Sequence, residues 1–280
     1  MQELNGKPVA AKIKAAVQAE LQQIKKTLSK QPNLLVLQYG NDQASKTYAN
    51  RIEKNCQEVG INFSYEQFNK NPDGFKQRIR TANLDPEISA IMIQQPLTDN
   101  LKNSLELISP SKDVEGITSA SLGKLFTGLS GLKPCTAEAC LEIINYYGIK
   151  VTGKKAAVIG RSNIVGKPIA MLLQQADATV TICHSKTKNL AAEIKAAEII
   201  IAAAGKAALI TAEMLSSNSI VIDVGTNFVQ GKLVGDVDYL NASRKVSKIT
   251  PVPGGVGTVT NQVLMRNIVK AFKNINLNNK

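Results

Sequence analysis

The sequence KKAAVIGRSNIVGKP (residues 154–168) decides the fold class of the second half of the chain. An apolar run ends at Gly160, a glycine-containing turn follows, and a helical pattern begins near Gly166. This order is typical of a doubly wound α/β sheet, where a helix N-terminus holds a phosphate. Ser162 occupies the middle glycine position of the usual dinucleotide fingerprint and the last glycine comes one residue late, so the turn alone also fits a structural role.

Three further apolar runs follow this turn: ATVTICH (178–184), EIIIAAAG (198–205) and SIVIDVG (219–225). Each is nearly continuous and is separated from the next by a helical segment. Such runs are typical of parallel strands that are buried on both faces of a sheet. The second half of the chain is therefore predicted to be a doubly wound, Rossmann-like domain.

The first half has its own strand-like runs, NLLVLQYG (33–40), INFSYEQF (61–68) and ISAIMIQQPL, which begins at Ile88. Helical segments between them predict a small parallel sheet. The side chain of Gln94 stands out, because ligands of open α/β sheets bind at the carboxyl ends of strands.

We therefore predict an α/β protein of two domains, residues 1–137 with the small parallel sheet and residues 138–259 with the Rossmann-like sheet. The chain has 280 residues, about twice a common domain size, and 44% of them are hydrophobic, which suffices for two cores. The C-terminal segment 260–280 is predicted to be a helix that packs back on the first domain. The cleft between the domains is the default ligand site.

Composition excludes several function classes. No apolar run approaches the roughly 18 residues of a membrane span, no export signal is present, and the four cysteines contain no C-x-x-C pair, so we predict a cytoplasmic protein with reduced thiols. The one histidine, His184, leaves no ordinary Ser-His-Asp triad or histidine metal cluster. No metal site is predicted.

The net charge of +12 admits anionic partners of several kinds. The basic residues are scattered, however, and the richest stretch, Lys25, Lys26 and Lys30, lacks the interleaved aromatic side chains that stack on bases. A solvated surface is therefore favoured over nucleic-acid or membrane binding.

The next strand bears on which cofactor the turn accepts. An NAD site usually has an acidic residue at the end of that strand, whereas this sequence has His184-Ser185-Lys186 there, and Arg161 in the turn. Cations at these positions favour a 2′-phosphate and hence NADP. The alternative is that Arg161 and Lys186 are ordinary surface residues.

Longer motifs resemble one family over nearly the whole chain. In order, the second half contains GRSNIVGKP, CHSKT, IDVGTN, GKLVGDVDY and ITPVPGGVG, and the first half contains ASKTYANRIEKNCQEVGI, IQQPL, SPSKDVEGI and LKPCT. Together they resemble the methylenetetrahydrofolate dehydrogenase/cyclohydrolase family.

The resemblance implies oxidation of 5,10-methylenetetrahydrofolate with NADP, hydration of the methenyl product to 10-formyltetrahydrofolate, and a homodimer. It implies that Tyr48 stacks near the pterin, that Gln94 hydrogen-bonds at the reacting centre, and that loop 251–257 closes over substrate and nicotinamide. The residues implied to bind the cofactor are Gly160, Arg161, Ser162, Gly166, His184, Ser185 and Thr226, and Pro251, Gly254 and Gly255 of the loop are implied to bind substrate.

Two departures from the family pattern concern the chemistry. Ile52 stands where the family has its catalytic lysine, and Glu115 replaces the second aspartate of the D-V-D-G motif that holds the pterin edge. Of the neighbouring cations, Lys54 is predicted to point elsewhere on the helix, while Arg51 is better placed but is always protonated. Without the family, Ala44, Tyr48, Ile52, Cys56 and Val59 form an apolar stripe typical of plain core.

The leading hypothesis is therefore a dehydrogenase whose cyclohydrolase step is impaired, because an aliphatic side chain cannot transfer a proton. One alternative is a fully bifunctional enzyme in which another residue compensates. The other is a catalytically silent protein that binds NADP or folate.

Overall fold

A computed structural model describes residues 1–28 and 30–276 of the chain. These residues form two compact units. The six-stranded unit consists of Met1–Ala11 and Thr136–Thr260, and the three-stranded unit of Lys12–Cys135 with the C-terminal residues from Asn261 onward.

The strands in chain order are β1 (Gln2–Glu3), β2 (Asn33–Tyr39), β3 (Asn62–Phe68), β4 (Ala90–Ile93), β5 (Lys155–Ile159), β6 (Thr179–Cys183), β7 (Ile199–Ala202), β8 (Ile220–Asp223), β9 (Asn227–Val229), β10 (Lys232–Val234) and β11 (Lys248–Ile249). The α-helices are α1 (Gly6–Thr27), α2 (Gln43–Val59), α3 (Pro72–Leu84), α4 (Ser119–Phe126), α5 (Cys135–Tyr146), α6 (Gly166–Gln175), α7 (Leu190–Ala196), α8 (Tyr239–Ala242) and α9 (Val256–Asn276). Two 3₁₀ segments span Asp99–Leu107 and Ala212–Met214.

The six-stranded unit has a parallel sheet with the strand order β1-β11-β8-β7-β5-β6. Strand β5 lies between β6 and β7, so the connections leave it in opposite directions. The carboxyl end of β5 is therefore a topological switch point, the usual ligand position of such sheets. Strands β7 and β8 are buried along their whole length, as their continuous apolar sequences predict.

The three-stranded unit has a parallel sheet with the order β3-β2-β4. Here β2 is the switch strand, and α2 leaves from its carboxyl end. Its core includes Phe75, Ile79, Leu101 and Ile91, all fully buried, with the rings of Tyr39 and Phe68 edge-on to Phe75. The predicted α/β class with parallel sheets in both halves of the chain is confirmed.

Several boundaries differ from the sequence-based ones. Residues 1–11 group with the six-stranded unit, because β1 adds to its sheet beside β11. The last helix begins at Val256, within the predicted loop 251–257, and residues 277–280 of its predicted extent lie outside the described residues. In the predicted apolar stripe of α2, Ala44 is exposed and Tyr48 is only partly buried, while Ser45 and Ala49 are buried instead.

All four cysteines lie within the described residues and are buried thiols. Burial raises the pKa of the Cys56 and Cys140 thiols to about 12 and also raises that of Cys183. No helix of the described chain combines the length and apolar character needed to cross a membrane.

Candidate active site

The turn after β5 is built around two glycines. Gly160 has φ +134°, and a Cβ there would overlap the carbonyl oxygen of Ala203. A Cβ on Gly166 would overlap the carbonyl of Gly160. Side chains are thus excluded from both positions, because neighbouring backbone occupies the space that a Cβ would need, and the turn packs closely against the start of α6.

Ser162 explains the departure from the usual glycine fingerprint. Its Oγ accepts hydrogen bonds from the backbone N–H groups of Val165 (3.1 Å) and Gly166 (3.4 Å), so the hydroxyl caps the start of α6. Arg161 and Ser162 are both exposed beside it. The turn therefore presents a cation and a helix N-terminus, which together favour an anionic group.

The end of β6 carries His184, which is partly buried, followed by the exposed Ser185 and Lys186. The Nδ1 atom of His184 accepts a hydrogen bond from the backbone N–H of Lys186 (3.1 Å). In the neutral ring the proton therefore sits on Nε2. His184 N–H in turn donates to Oγ1 of Thr187 (2.8 Å), which holds this short turn in place. Because β6 is next to β5 in the sheet, the turns after both strands lie at the same edge.

The loops after β7 and β8 are tied together by Asp236, a residue that sequence reasoning missed. Its carboxylate accepts hydrogen bonds from three successive N–H groups, those of Ala204 (2.6 Å), Gly205 (2.9 Å) and Lys206 (2.8 Å). It also accepts from the side chain of Asn227 (2.9 Å), next to the predicted cofactor residue Thr226, which is exposed. Asp236 is fully buried and so organises two loops at the ligand edge.

Asp223, at the end of β8, supports Asp236 in turn. Its oxygens accept from the backbone N–H groups of Gly225, Asp236 and Val237, each at 3.0 Å. Burial raises its pKa to about 6, against the opposing effect of these hydrogen bonds. The sequence motifs IDVG and GDVD thus form one interlocked structure.

The predicted substrate loop is anchored by the start of the chain. The N–H of Gly6 donates to the carbonyl of Gly254 (2.8 Å), and a Cβ on Gly6 would overlap the carbonyl of Gly255. Gly254 has φ +106°, a conformation that favours glycine, and Pro251 is partly buried beside it. Residues 251–255 therefore have a defined conformation rather than that of an unsupported loop.

In the three-stranded unit, Tyr48 lies in the second turn of α2, just beyond the carboxyl end of β2. The helix begins at the N-cap Asp42, whose carboxylate accepts from the N–H and Oγ of Ser45, both at 2.7 Å. The same Ser45 Oγ also reaches the carbonyl of Gln95 (3.0 Å). The start of α2 is thereby tied to the segment that follows β4.

Gln94 follows β4, and its backbone N–H donates to Leu37 of β2 (2.9 Å). Its side chain is 4% exposed, and its Nε2 atom has no hydrogen-bond partner in the protein. A buried amide without a partner is costly, so this donor is suited to a ligand. Sequence reasoning identified this residue from its position alone.

Glu115 lies in a segment that runs beside β4, since Asp113 bridges to Ile91 in parallel orientation. Burial and, to a smaller extent, the nearby carboxylate of Asp113 together raise the pKa of Glu115 to about 8. Burial also raises the pKa of Tyr48 well above its usual value, with a further increase from Glu115 and an opposing effect of Arg51. Tyr48 and Glu115 therefore share one electrostatic environment.

Ile52 is fully buried, one helical turn after Tyr48. It belongs to the buried face of α2 with Ala49, Cys56 and Val59, whereas Arg51 and Lys54 are exposed. The position of the family's lysine is thus occupied by a hydrocarbon that packs as core.

Comparison with known proteins agrees with this geometry. Residues 4–115 match the family profile described as the tetrahydrofolate dehydrogenase/cyclohydrolase catalytic domain, and residues 134–276 match that of the NAD(P)-binding domain. A relative named bifunctional protein FolD from Nitratiruptor sp. is 44% identical over 280 residues, covering 98% of each chain.

Solved structures agree as well. The bifunctional methylenetetrahydrofolate dehydrogenase/cyclohydrolase FolD of Campylobacter jejuni superposes with a TM-score of 0.95 at 41% identity, covering 98% of this chain and 99% of the other. The Trypanosoma brucei enzyme of the same name, complexed with NADP cofactor and inhibitor, gives a TM-score of 0.90 at 31% identity and 96% coverage of both chains. The chain therefore belongs to the tetrahydrofolate dehydrogenase/cyclohydrolase family.

Proposed function

We propose that this protein oxidises 5,10-methylenetetrahydrofolate to 5,10-methenyltetrahydrofolate with NADP and releases the methenyl product without hydrating it efficiently. The observation that carries the proposal is Ile52, buried one turn past Tyr48 at the family's lysine position. An isoleucine can neither accept nor donate a proton, and hydration of the methenyl carbon requires proton transfer from water.

The dehydrogenase step makes smaller demands on the side chains. NADP supplies the hydride acceptor when it is bound. The protein has to hold the pterin, and Gln94 with its unpartnered Nε2, Tyr48 and Glu115 supply a donor, a stacking surface and a carboxyl group. Positioning alone accounts for a large part of such a rate enhancement.

NADP fits the turn after β5. The glycines at 160 and 166 allow the close packing that forms the turn, and the exposed cations Arg161 and Lys186 match a 2′-phosphate. His184, Ser185 and Thr226 complete the proposed cofactor set, while Pro251, Gly254 and Gly255 complete the proposed substrate set.

A fully bifunctional enzyme is the second candidate, and Arg51 is the observation that favours it. Its guanidinium is close enough to lower the pKa of Tyr48 and could stabilise negative charge that develops there. Arginine stays protonated, so it cannot exchange a proton with water as lysine does. The third candidate is a protein that binds its ligands without catalysis. It requires that Glu115, which stands in place of the family's aspartate, prevents productive orientation of the folate.

The family's homodimer is part of the proposal, as is a cytoplasmic location, which the four buried thiols fit. Phe228 in the β9–β10 hairpin is 80% exposed, and Ile182 is exposed on the edge strand β6. A second copy of the chain would cover such apolar groups. Sedimentation of the protein and of Phe228→Asp tests this, and a monomeric parent protein would contradict it.

The decisive experiment mixes the protein with methylenetetrahydrofolate and NADP and follows NADPH and methenyl absorbance separately. Joint accumulation is expected, and Ile52→Lys should then consume the methenyl signal while Ile52→Met, the matched neutral control, should not. If the parent protein hydrates the methenyl compound, the proposal fails in favour of the bifunctional enzyme. If neither signal moves although both ligands bind, the silent binder replaces it.

A further inference from the structure

Asn267, in the middle of α9, is a fully buried amide that joins two distant segments of the three-stranded unit. Its Nδ2 donates to the backbone carbonyl of Val114 (3.0 Å) and to that of Lys133 (3.1 Å). Neither carbonyl belongs to a helix or strand, so no regular backbone ladder fixes them. A single side chain thus crosslinks the residues just before Glu115 and just before Pro134.

The two segments also contact each other directly. Cys135 Sγ donates to the same Val114 carbonyl (3.2 Å), and a Cβ on Gly116 would overlap the backbone of Lys133. The carbonyl of Val114 therefore receives donors from both α9 and α5. Glu115 is the residue between this fixed carbonyl and the tightly packed Gly116.

The other side of the segment is held by Lys112, which is 5% exposed. Its Nζ donates to the carbonyls of Ala82 (2.9 Å) and Asp85 (2.6 Å), at the C-terminal end of α3 where a helix favours a cation. Asp113 accepts from the N–H of Thr118 (2.9 Å). Lys112 and Asp113 are thus fixed independently of Asn267, while the Val114 carbonyl receives its donors from Asn267 and Cys135.

We propose that Asn267 is a positioning residue of the folate site, acting through Glu115: by donating to the Val114 and Lys133 carbonyls it sets the peptide plane from which the Glu115 side chain extends. The inference rests on the proposed function, in which Glu115 holds the pterin edge. Glutamate is one methylene longer than the family's aspartate, so the direction in which it leaves the backbone controls where its carboxyl group arrives.

Loss of the amide would leave the buried Val114 carbonyl and the partly buried Lys133 carbonyl without this donor, and the segment would shift to find another. A displacement of about 1 Å at Glu115 weakens folate positioning by between about tenfold and about a hundredfold. Cofactor binding depends on the six-stranded unit and would not change.

The test is a double-mutant cycle of Asn267→Leu and Glu115→Gln, measuring KM for methylenetetrahydrofolate, kcat, and Kd for NADPH well below each unfolding midpoint. The matched control is Gln262→Leu, which removes another buried amide of α9 whose Nε2 contacts Asn55 of α2 (3.4 Å). Asn267→Ser, which keeps one donor, replaces Asn267→Leu in the cycle if the leucine variant does not fold.

The expected result is that Asn267→Leu raises the folate KM at least about tenfold, leaves the NADPH Kd unchanged, and has less than about a twofold further effect once Glu115 is glutamine. Gln262→Leu should leave KM unchanged. Effects that multiply in the double mutant would overturn the positioning role while the proposed function stands. If Glu115→Gln alone leaves the folate KM unchanged, the assignment of Glu115 fails along with the inference. Absence of turnover in the parent protein refutes the proposed function itself.

Discussion

The six-stranded and three-stranded units place their candidate sites at equivalent points of their sheets but build them from different atoms. After β5 the candidate site is made of a backbone turn whose close packing requires Gly160 and Gly166. After β2 and β4 it is made of side chains, those of Tyr48, Gln94 and Glu115. The departures at Ile52 and Glu115 both belong to the second kind of site.

This difference shows why one site has kept its family pattern. A side chain at Gly160 would overlap neighbouring backbone, so substitution there damages the fold together with the ligand site. Ile52, by contrast, belongs to the buried face of α2, so the residue at this position can change while the core is kept. A side chain of such a site can therefore be replaced without loss of structure.

The largest expected effect on stability is that of Gly160→Ala, which places a side chain in the backbone turn after β5. Because the position has φ +134° and a Cβ would overlap the Ala203 carbonyl, we expect about 4 kcal/mol or more of lost unfolding free energy and loss of NADPH binding. Urea unfolding and NADPH fluorescence titration measure the two. Gly153→Ala, also at positive φ but facing open space, should cost only about 1 kcal/mol. Equal losses in the two variants would refute the overlap argument.

Asp236→Asn tests the same unit through its loops. In the asparagine variant an amide nitrogen replaces one carboxylate oxygen and cannot accept the hydrogen bonds that the backbone N–H groups donate to that oxygen. The unfolding free energy should therefore fall by about 3 kcal/mol. Asp238→Asn, two residues away and only partly buried, is the control and should cost less than about 1 kcal/mol. Both are measured by urea unfolding, and a near-neutral Asp236→Asn would show that the loops do not depend on this carboxylate.

Ile52→Lys tests whether the three-stranded unit tolerates a charged side chain at this buried position. The quantity measured here is the unfolding free energy, not the activity. Placing an ammonium group among buried apolar neighbours should reduce the unfolding free energy by about 2 kcal/mol. Ile52→Met keeps the volume and should cost less than about 1.5 kcal/mol. If the lysine variant were more stable than the parent, the buried face of α2 would not be core.

The smallest effect concerns pH and Glu115, whose pKa is about 8 in the protein. Below that pH the carboxyl group carries a proton, and it must lose that proton before both of its oxygens can accept hydrogen bonds from the pterin N–H groups in the proposed site. Folate affinity should therefore rise with pH between 6 and 8, by up to about tenfold per pH unit, and level off above 8. Calorimetry at pH 7 in two buffers should detect proton release, and Glu115→Gln should abolish it.

The same raised pKa makes the folded protein less stable as the pH rises, whereas the expected folate affinity increases with pH. The folded protein binds this proton more tightly than the unfolded chain, so the contribution of Glu115 to stability is full below pH 4.5 and is lost as the pH rises through 8. The pH dependence of urea unfolding should be shallower over this range in Glu115→Gln. An unchanged slope would contradict the raised pKa.

Much of the fold and part of the candidate site could be predicted from the sequence, because apolar runs and glycine turns are local signals. Strands β2, β5 and β7, the turn at Gly160 and the position of Gln94 were all predicted from contiguous residues. Asp236 and Asn267 were not, because each acts on backbone groups far away in the chain. The start of α9 at Val256 was missed as well, because glycines there favoured a loop.

The burial of all four cysteines has a practical consequence for spectroscopy. With thiol pKa values raised at Cys56, Cys140 and Cys183, hardly any thiolate is present at neutral pH to react with maleimides or peroxide. A cysteine introduced at an exposed position such as Ser185 would then be labelled selectively in an otherwise unmodified background. In the proposed cofactor site, a fluorophore attached there should change its emission when NADP binds.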